Sequence, residues 1–506
     1  MRKKLTEKNE KNGFNVNNFL KSYLFSRAFC DRIHSESTSM KNQNNRNTFN
    51  GSIGFVLAAA GSAVGLGNIW RFPYLAAKDG GGLFVVIYIA LAITFGFALL
   101  TTEVAIGRST KLGPLSAYSK VKNGWKSLGV LSCVIPFIIL PYYCVIGGWV
   151  LKYFVVFITG HGAQAAEDGF FTGFITAQID PIVMTMIFLV AVALIVYLGV
   201  NKGIEKSSKI VMPILLFLVI AISLFSLTIQ FTDANGETRT GLQGLKVYVV
   251  PSLEGIGVKG FFTVVMDAMG QLFYSLSIAM GIMIAYGSYV EPKSNLVKAI
   301  NRIEIFDTLV AFLAGVMIIP AVFTFMGKDG MTAGPSLMFI SLPKVFKAMG
   351  FIGNIVGAAF FLMVFFAALS SAVSVMEAVV SSFIDEFHIS RTKAVNIEGL
   401  LAVIGAIIVC LGYNVLYFEL TLPNGSVGQV LDVMDYVSNS FLMPIVAILT
   451  CVLIGWVVGP AYTINEIERN GEHFGRKRLY VVMIRYIAPI LLFILFLKSV
   501  GILTII

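Results

Sequence analysis

The sequence predicts an all-α membrane protein of about 11 spanning helices, arranged as two successive five-helix sets plus one extra helix. Three observations predict it: a composition that water cannot cover, a regular series of long apolar runs, and a polar, glycine-rich interruption in the run that opens each set. Hydrophobic residues make up 57% of the 506-residue chain and charged residues 13%, with a mean hydropathy of +0.81. A water-soluble domain carries about 25% charge. The bilayer is therefore the solvent that this composition fits.

A spanning helix needs roughly 20 mostly apolar residues. Such runs fall near 53–76, 83–107, 127–157, 181–200, 207–229, 261–289, 298–325, 350–385, 395–418, 428–458 and 481–504. The membrane-spanning part of the chain is thus 46–506, with a first set over about 46–229, a second over about 261–458 and an extra helix at about 481–504. Residues 1–45 are polar, rich in Asn, Lys and Ser, and read as a disordered cytoplasmic tail, with Met40 as an alternative start.

Most of the 38 Lys and Arg fall in the N-terminal arm and in the even-numbered gaps, for example Arg108, Lys111, Lys120, Lys122, Lys126 and Arg476–Arg478. The stretch 158–180 holds none. The positive-inside rule then puts the N-terminus in the cytoplasm, and an odd helix count puts the C-terminus outside, in a multi-pass protein of the plasma membrane. The net charge of +10 is a topology signal. It offers no basic folded face for nucleic acid. Cys30, Cys133, Cys144, Cys410 and Cys451 show no metal spacing and read as small buried side chains. His34, His161, His388 and His473 lie outside helix interiors, and no nucleophile–base pair is evident, so the chain is not read as an enzyme.

The first run carries Gly61, Ser62, Gly65, Gly67 and Asn68 at mid-depth. The sixth carries Tyr274-Ser-Leu-Ser277-Ile-Ala-Met-Gly281. A helix in lipid must satisfy its own backbone hydrogen bonds, so an interruption is tolerated only where it lines a cavity. Paired interruptions in matching halves point to an inverted-repeat transporter with its site at the midplane. Freed N–H groups at the start of the outer half-helix can hold a carboxylate, and freed carbonyls are hard donors suited to sodium.

The residues that carry these features resemble one family. The run Gly61–Phe84, GSAVGLGNIWRFPYLAAKDGGGLF, is similar to the signature of the neurotransmitter:sodium symporters, which have the leucine-transporter-like fold. The similarity continues through LLTTEVAIGR (Leu99–Arg108), PFIILPYYCVIGGW (Pro136–Trp149), GQLFYSLSIAMG (Gly270–Gly281), FFAALSSAVSV (Phe365–Val375) and LDVMDY (Leu431–Tyr436), and a Gly203-x9-Pro213 pair fits as well. The 11-helix form resembles prokaryotic members, in particular the tyrosine/tryptophan and multi-hydrophobic amino-acid carriers.

The resemblance implies two sodium sites. The first would use the Ala63 carbonyl, Asn68, Ser275 and, where the family usually has Asn, Asp307. The second would use carbonyls of Gly61, Val64 and Ala367 with the hydroxyls of Ser370 and Ser371. The amino-acid carboxylate would sit on N–H groups at Leu66 and Gly67 with Tyr143 beside it. Gly65 stands where amine carriers have an aspartate, so it leaves room for a substrate carboxylate. Ile139, Tyr274, Ser277, Met280, Ser371 and Val375 would line the side-chain pocket and favour a hydrophobic or aromatic cargo. An aspartate about ten residues into a span lies about 15 Å deep and is functional by default. With Ala311 one turn later, where animal members place a chloride-binding serine, Asp307 would supply the negative charge, and transport would be chloride-independent.

Arg71 and Asp435 match an outer gate pair; Arg46 and Asp385, with Tyr289 nearby, match an inner one. The implied activity is sodium-coupled symport of a neutral L-amino acid into the cell by alternating access. A non-transporting amino-acid sensor on the same fold is the alternative. Sodium, amino acid and the bilayer are the expected partners, with no obligate protein partner evident.

Overall fold

Deprived of water, an apolar run can satisfy its N–H and C=O groups only within itself, and it becomes a helix. The computed structural model describes residues 48–233, 236–254, 256–327, 330–331 and 336–503. The tail, the alternative start at Met40 and the gate residue Arg46 lie outside these residues, as does Cys30.

The first run contains two helices, α1 (Ser52–Ala63) and α2 (Gly67–Lys78), bent by 54° at the break between them. There follow α3 (Gly82–Thr110), α4 (Lys126–Ile158), α5 (Asp180–Tyr197) and α6 (Val200–Thr228). The sixth run is again two pieces, α7 (Val258–Ser275) and α8 (Ile282–Ser288). The chain continues through α9 (Leu296–Met326), α10 (Phe351–Phe387), α11 (Arg391–Leu411), α12 (Val430–Val457) and α13 (Lys477–Ser499). Among the described residues, nine helices are long and apolar enough to cross a membrane, or ten if α1 and α2 count as one span. The predicted count was about eleven. The difference is the sixth run, whose pieces are too short or too polar to qualify separately.

Two small antiparallel hairpins cap the bundle, Gln230–Thr232 with Thr238–Thr240 and Leu420–Thr421 with Val427–Gly428. The broken helices lie at the centre. α1 packs on α6, α9 and α10, and α8 packs on α3 and α10. Cys133, Cys144, Cys410 and Cys451 are buried free thiols.

Close backbone approach at glycine sets these contacts, as expected where helices associate by packing. A Cβ on Gly107 of α3 would stand 2.1 Å from the Ile284 carbonyl oxygen of α8, and one on Gly287 would stand 2.6 Å from the Val104 oxygen. The second half of the broken sixth span is thus seated directly on the α3 backbone. Gly203 is similar: its Cβ would lie 1.9 Å from the Ile195 carbonyl oxygen of α5. It sits in a wide turn, Val200–Glu205, ten residues before Pro213 inside α6. Gly203 is thereby a packing requirement between α5 and α6.

Overpacking of this kind costs about 1–3 kcal/mol. Gly107→Ala is expected to lower the thermal unfolding midpoint of the detergent-purified protein by several degrees. An unchanged midpoint would mean that α3 and α8 are not held in this contact.

Candidate functional site

At the first break the helical ladder stops at Val64, whose N–H still reaches the Ala60 oxygen at 2.8 Å, with ψ turned to 86°. The carbonyls just before the break take side-chain partners instead. Ser371 of α10 donates to Ser62 O at 3.1 Å and to Gly61 O at 3.4 Å, and Ser277 donates to Ser62 O at 3.1 Å. The first break is therefore bound to α10 and to the second break by hydroxyls.

The second break is strained. Ser277 and Ala279 have φ of 53° and 64°, left-handed values unusual for residues with a Cβ, and Gly281 follows at 71°. Such residues persist only where their surroundings over-determine them. Here the Ala279 N–H donates to Glu103 Oε1 of α3 at 2.7 Å. Glu103 is 2% exposed, and its other oxygen has no partner. Glu103 lies in the motif LLTTEVAIGR, but the resemblance assigns it no part in the site. A carboxylate inside a span was the signal that could have found it.

Between the two breaks stands Asp307 of α9, fully buried. Asn68 Nδ2 donates to its Oδ1 at 2.8 Å, and Ser275 Oγ donates to the same oxygen at 2.7 Å and to Asn68 Oδ1 at 2.9 Å. The three side chains named for the first sodium site are thus in mutual contact. A fourth, unforeseen in the sequence, joins them: Tyr88 of α3 donates to Asp307 Oδ2 at 3.3 Å. Gln271 Nε2 donates to the Gly67 carbonyl at 3.1 Å, while its Oε1 is buried without a partner.

A small cavity, about 30 Å³, adjoins this cluster. Every residue named for the substrate seat lines it: Ala63, Gly65, Leu66, Gly67, Ile139, Tyr143, Tyr274, Ser275, Ser277, Met280, Ser371 and Val375, with Ser62 and Asn68 in addition. The Leu66 N–H points to the Tyr143 hydroxyl at 3.5 Å. Gly65 faces the cavity wall closely, since a Cβ there would lie 3.0 Å from Ser371 Oγ and 3.2 Å from Tyr143 Oη.

Of the second predicted sodium set, Gly61 lies against α10, its notional Cβ 3.3 Å from Ser370 Cβ, and Ser371 bonds to its carbonyl. Ser370 turns back on its own helix, donating to Phe366 O at 3.0 Å and Ala367 O at 3.1 Å. Val64 is buried, and no hydrogen bond ties it to Ser370 or Ser371.

The gate residues are placed unevenly. Arg71 and Asp435 form no ion pair within 4.0 Å; Asp435 instead accepts from Asn439 at 2.6 Å and Tyr142 at 3.3 Å. Asp385 accepts from the Gly113 N–H at 2.5 Å. Tyr289 donates to Glu377 at 2.6 Å, and Arg391 grips both Glu377 oxygens at 2.6 and 2.7 Å. Glu377 and Arg391 were not named from the sequence. A second in-span carboxylate, two turns from Asp385, was again the available clue.

A buried carboxylate ringed by amide and hydroxyl groups at paired helix breaks defines an ion-coupled membrane transporter. The chain matches the sodium:neurotransmitter symporter family over residues 46–165 and 175–504. It is 34% identical over 463 residues to an uncharacterised sodium-dependent transporter of Bacillus subtilis (strain 168), covering 89% of this chain and 97% of that one. It is 26% identical to the sodium- and chloride-dependent GABA transporter 2 of Mus musculus, over 84% of this chain and 75% of the relative. The crystal structure of MhsT in complex with L-phenylalanine superimposes with a TM-score of 0.78 at 35% identity, over 90% of this chain and all of that one. The chain belongs to the sodium:neurotransmitter symporter family. It is a sodium-dependent transporter with the leucine-transporter-like fold, not an enzyme.

Removing a partner from a buried donor costs about 1–3 kcal/mol. Glu103→Ala should therefore lower thermal stability by that order, because it leaves the Ala279 N–H unpaired in a strained turn. Glu103→Gln keeps an acceptor and should lose less. Equal midpoints for the two variants would show that Glu103 does not hold the second break.

Proposed function

We propose that this protein imports a neutral hydrophobic or aromatic L-amino acid into the cell with two sodium ions, by alternating access and without chloride. The observation that carries the reading is the contact of Asp307 with Asn68 and Ser275 beside the cavity at Gly65. MhsT, which is similar along its whole length, was crystallised with L-phenylalanine.

In this reading the first sodium sits among the Ala63 carbonyl, Asn68, Ser275 and Asp307 and takes an oxygen from the substrate carboxylate. Ion and cargo then stabilise each other directly. The second sodium sits among Gly61, Val64, Ala367, Ser370 and Ser371, and Ser370 must turn from its own helix to reach it. The carboxylate rests on the Leu66 and Gly67 N–H groups at the positive end of α2, with Tyr143 donating to it. The side chain lies against Ile139, Tyr274, Ser277, Met280 and Val375.

Asp307 supplies the fixed negative charge that other members obtain from chloride. Ala311, one turn further along α9, offers no donor for an anion. The N-terminus faces the cytoplasm. The outer gate, Arg71 with Asp435, stands apart here and closes when the pair forms. On the inner side Asp385 is the movable contact, and Tyr289 is held by Glu377.

The test is uptake into proteoliposomes of each of the 20 amino acids, with sodium or potassium outside and with chloride or gluconate. Uptake is expected for large apolar side chains, only with sodium, and equally in either anion. Asp307→Asn is expected to weaken sodium affinity by about ten-fold or more, since one neutralised charge pair is worth a few kcal/mol at such depth. Wild-type uptake that needs chloride, or an Asp307→Asn protein with unaltered sodium affinity, would sink the reading.

A further inference from the structure

The face of α9 opposite Asp307 carries a second, unassigned feature. A groove of about 620 Å³ runs between α3 and α9. Its wall is apolar, built from Ile89, Ala92 and Ile93 on α3 and Ile305, Leu309 and Phe312 on α9. Ile305 is 66% exposed and Ile93 48%, so the groove opens sideways, toward hydrocarbon in a spanning protein.

One end of the groove is polar and structurally fixed. Arg476 donates to Glu304 at 3.0 Å, to Asn301 at 2.5 Å and to the Ile93 carbonyl at 3.0 Å, and its guanidinium lies 3.4 Å above the Phe97 ring. The Glu304 charge is thereby neutralised. Beyond this end stand further basic side chains. Residues 298, 302, 305, 309 and 312 follow the spacing of one helix face, so Lys298 and Arg302 continue the groove stripe toward its polar end. Both are exposed, and neither side chain has a partner among the described residues. Arg478, two residues past Arg476, is also exposed and without a partner among them.

We propose that this groove is a binding site for an anionic phospholipid of the bilayer, with an acyl chain along the α3–α9 wall and the phosphate on Lys298 and Arg302. Charge complementarity selects the occupant. A neutral lipid would leave two cations unmatched at the groove mouth, and a soluble anion would leave the apolar wall empty. The cations lie at the end of α9 nearest the loop Glu291–Asn295, the side richest in Lys and Arg. That is the side on which anionic headgroups attract basic clusters between helices. The bound lipid would brace α9 from behind, since Asp307, Val310, Ala311 and Ala314 on its other face are all buried in the protein core.

The experiment is native mass spectrometry of the full-length detergent-purified protein, titrated with phosphatidylglycerol, phosphatidylcholine or inorganic phosphate, with thermal unfolding read in parallel. The wild type should retain phosphatidylglycerol in preference to phosphatidylcholine and gain stability from it, with no gain from inorganic phosphate. Lys298→Ala with Arg302→Ala should weaken phosphatidylglycerol retention by roughly thirty-fold, from the worth of two cations near an anionic headgroup. Leu309→Trp, which fills the groove, should abolish the preference while leaving sodium-dependent stabilisation intact as proof of folding. Equal retention of the two lipids by the wild type overturns the proposal. So does a preference that survives in either variant, or stabilisation by inorganic phosphate alone.

Discussion

Everything at the centre of this molecule follows from one constraint: in hydrocarbon, a backbone group without a helical partner must find another. Two spans break that rule at the same depth, and the protein repairs each breach with side chains from elsewhere. The carbonyls at Gly61 and Ser62 take hydroxyl donors from Ser277 and Ser371. The Ala279 N–H takes the carboxylate of Glu103. These repairs hold α3 and α10 against the breaks. The site is consequently assembled from helices far apart in sequence, and none of its parts can shift alone.

The repairs also explain why the site suits a cation. The partners of the first break are oxygen atoms, and its own freed groups before the break are carbonyls. Asp307 adds a full charge, and its surroundings, Asn68, Ser275 and Tyr88, all donate to it. A hard monovalent cation entering this set would replace hydrogen bonds with direct oxygen contacts at little structural change. In the proposed reading the break and the ion stabilise one another. This is the condition for coupling, because a ligand shifts a conformational equilibrium only through its differential affinity for the two states.

Much of this was legible in the sequence, for physical reasons. Spans are readable because hydrocarbon demands about twenty apolar residues, and each predicted run overlaps a helix or helix pair, although the start near 207 and the end near 418 miss by seven residues. The convergence of Asn68, Ser275 and Asp307 was legible through the family resemblance, which brings the three positions to one site; polarity at mid-span marks them as unusual but not as neighbours. What escaped were the residues that support the site from behind: Tyr88, Glu103, Gln271, Glu377 and Arg391. Tyr88 is one aromatic in an apolar run, and composition cannot separate it from core. The left-handed turns at Ser277 and Ala279 were hidden too, because neither residue type advertises positive φ. The uncoupled state of Arg71 and Asp435 could not be read, since a sequence encodes both states of a gate.

Energetics argue that those gates should be weak. One charge crossing 100 mV yields about 2.3 kcal/mol, and a tenfold sodium gradient adds about 1.4 kcal/mol. In the proposed two-ion cycle the gradient supplies roughly 7 kcal/mol, enough to concentrate a neutral cargo about 10⁵-fold. A latch worth several kcal/mol would trap one state and spend that gradient on opening. Exposed ion pairs are worth about 0–1 kcal/mol, the scale on which a gate closes without locking. Glu377 departs from this pattern: it is fully buried, and Arg391 holds it through two hydrogen bonds. Breaking such a buried pair costs far more than opening an exposed one. In the proposed cycle Arg391 and Glu377 therefore act as a fixed anchor for Tyr289, and the movable contacts are those made by Arg71, Asp435 and Asp385.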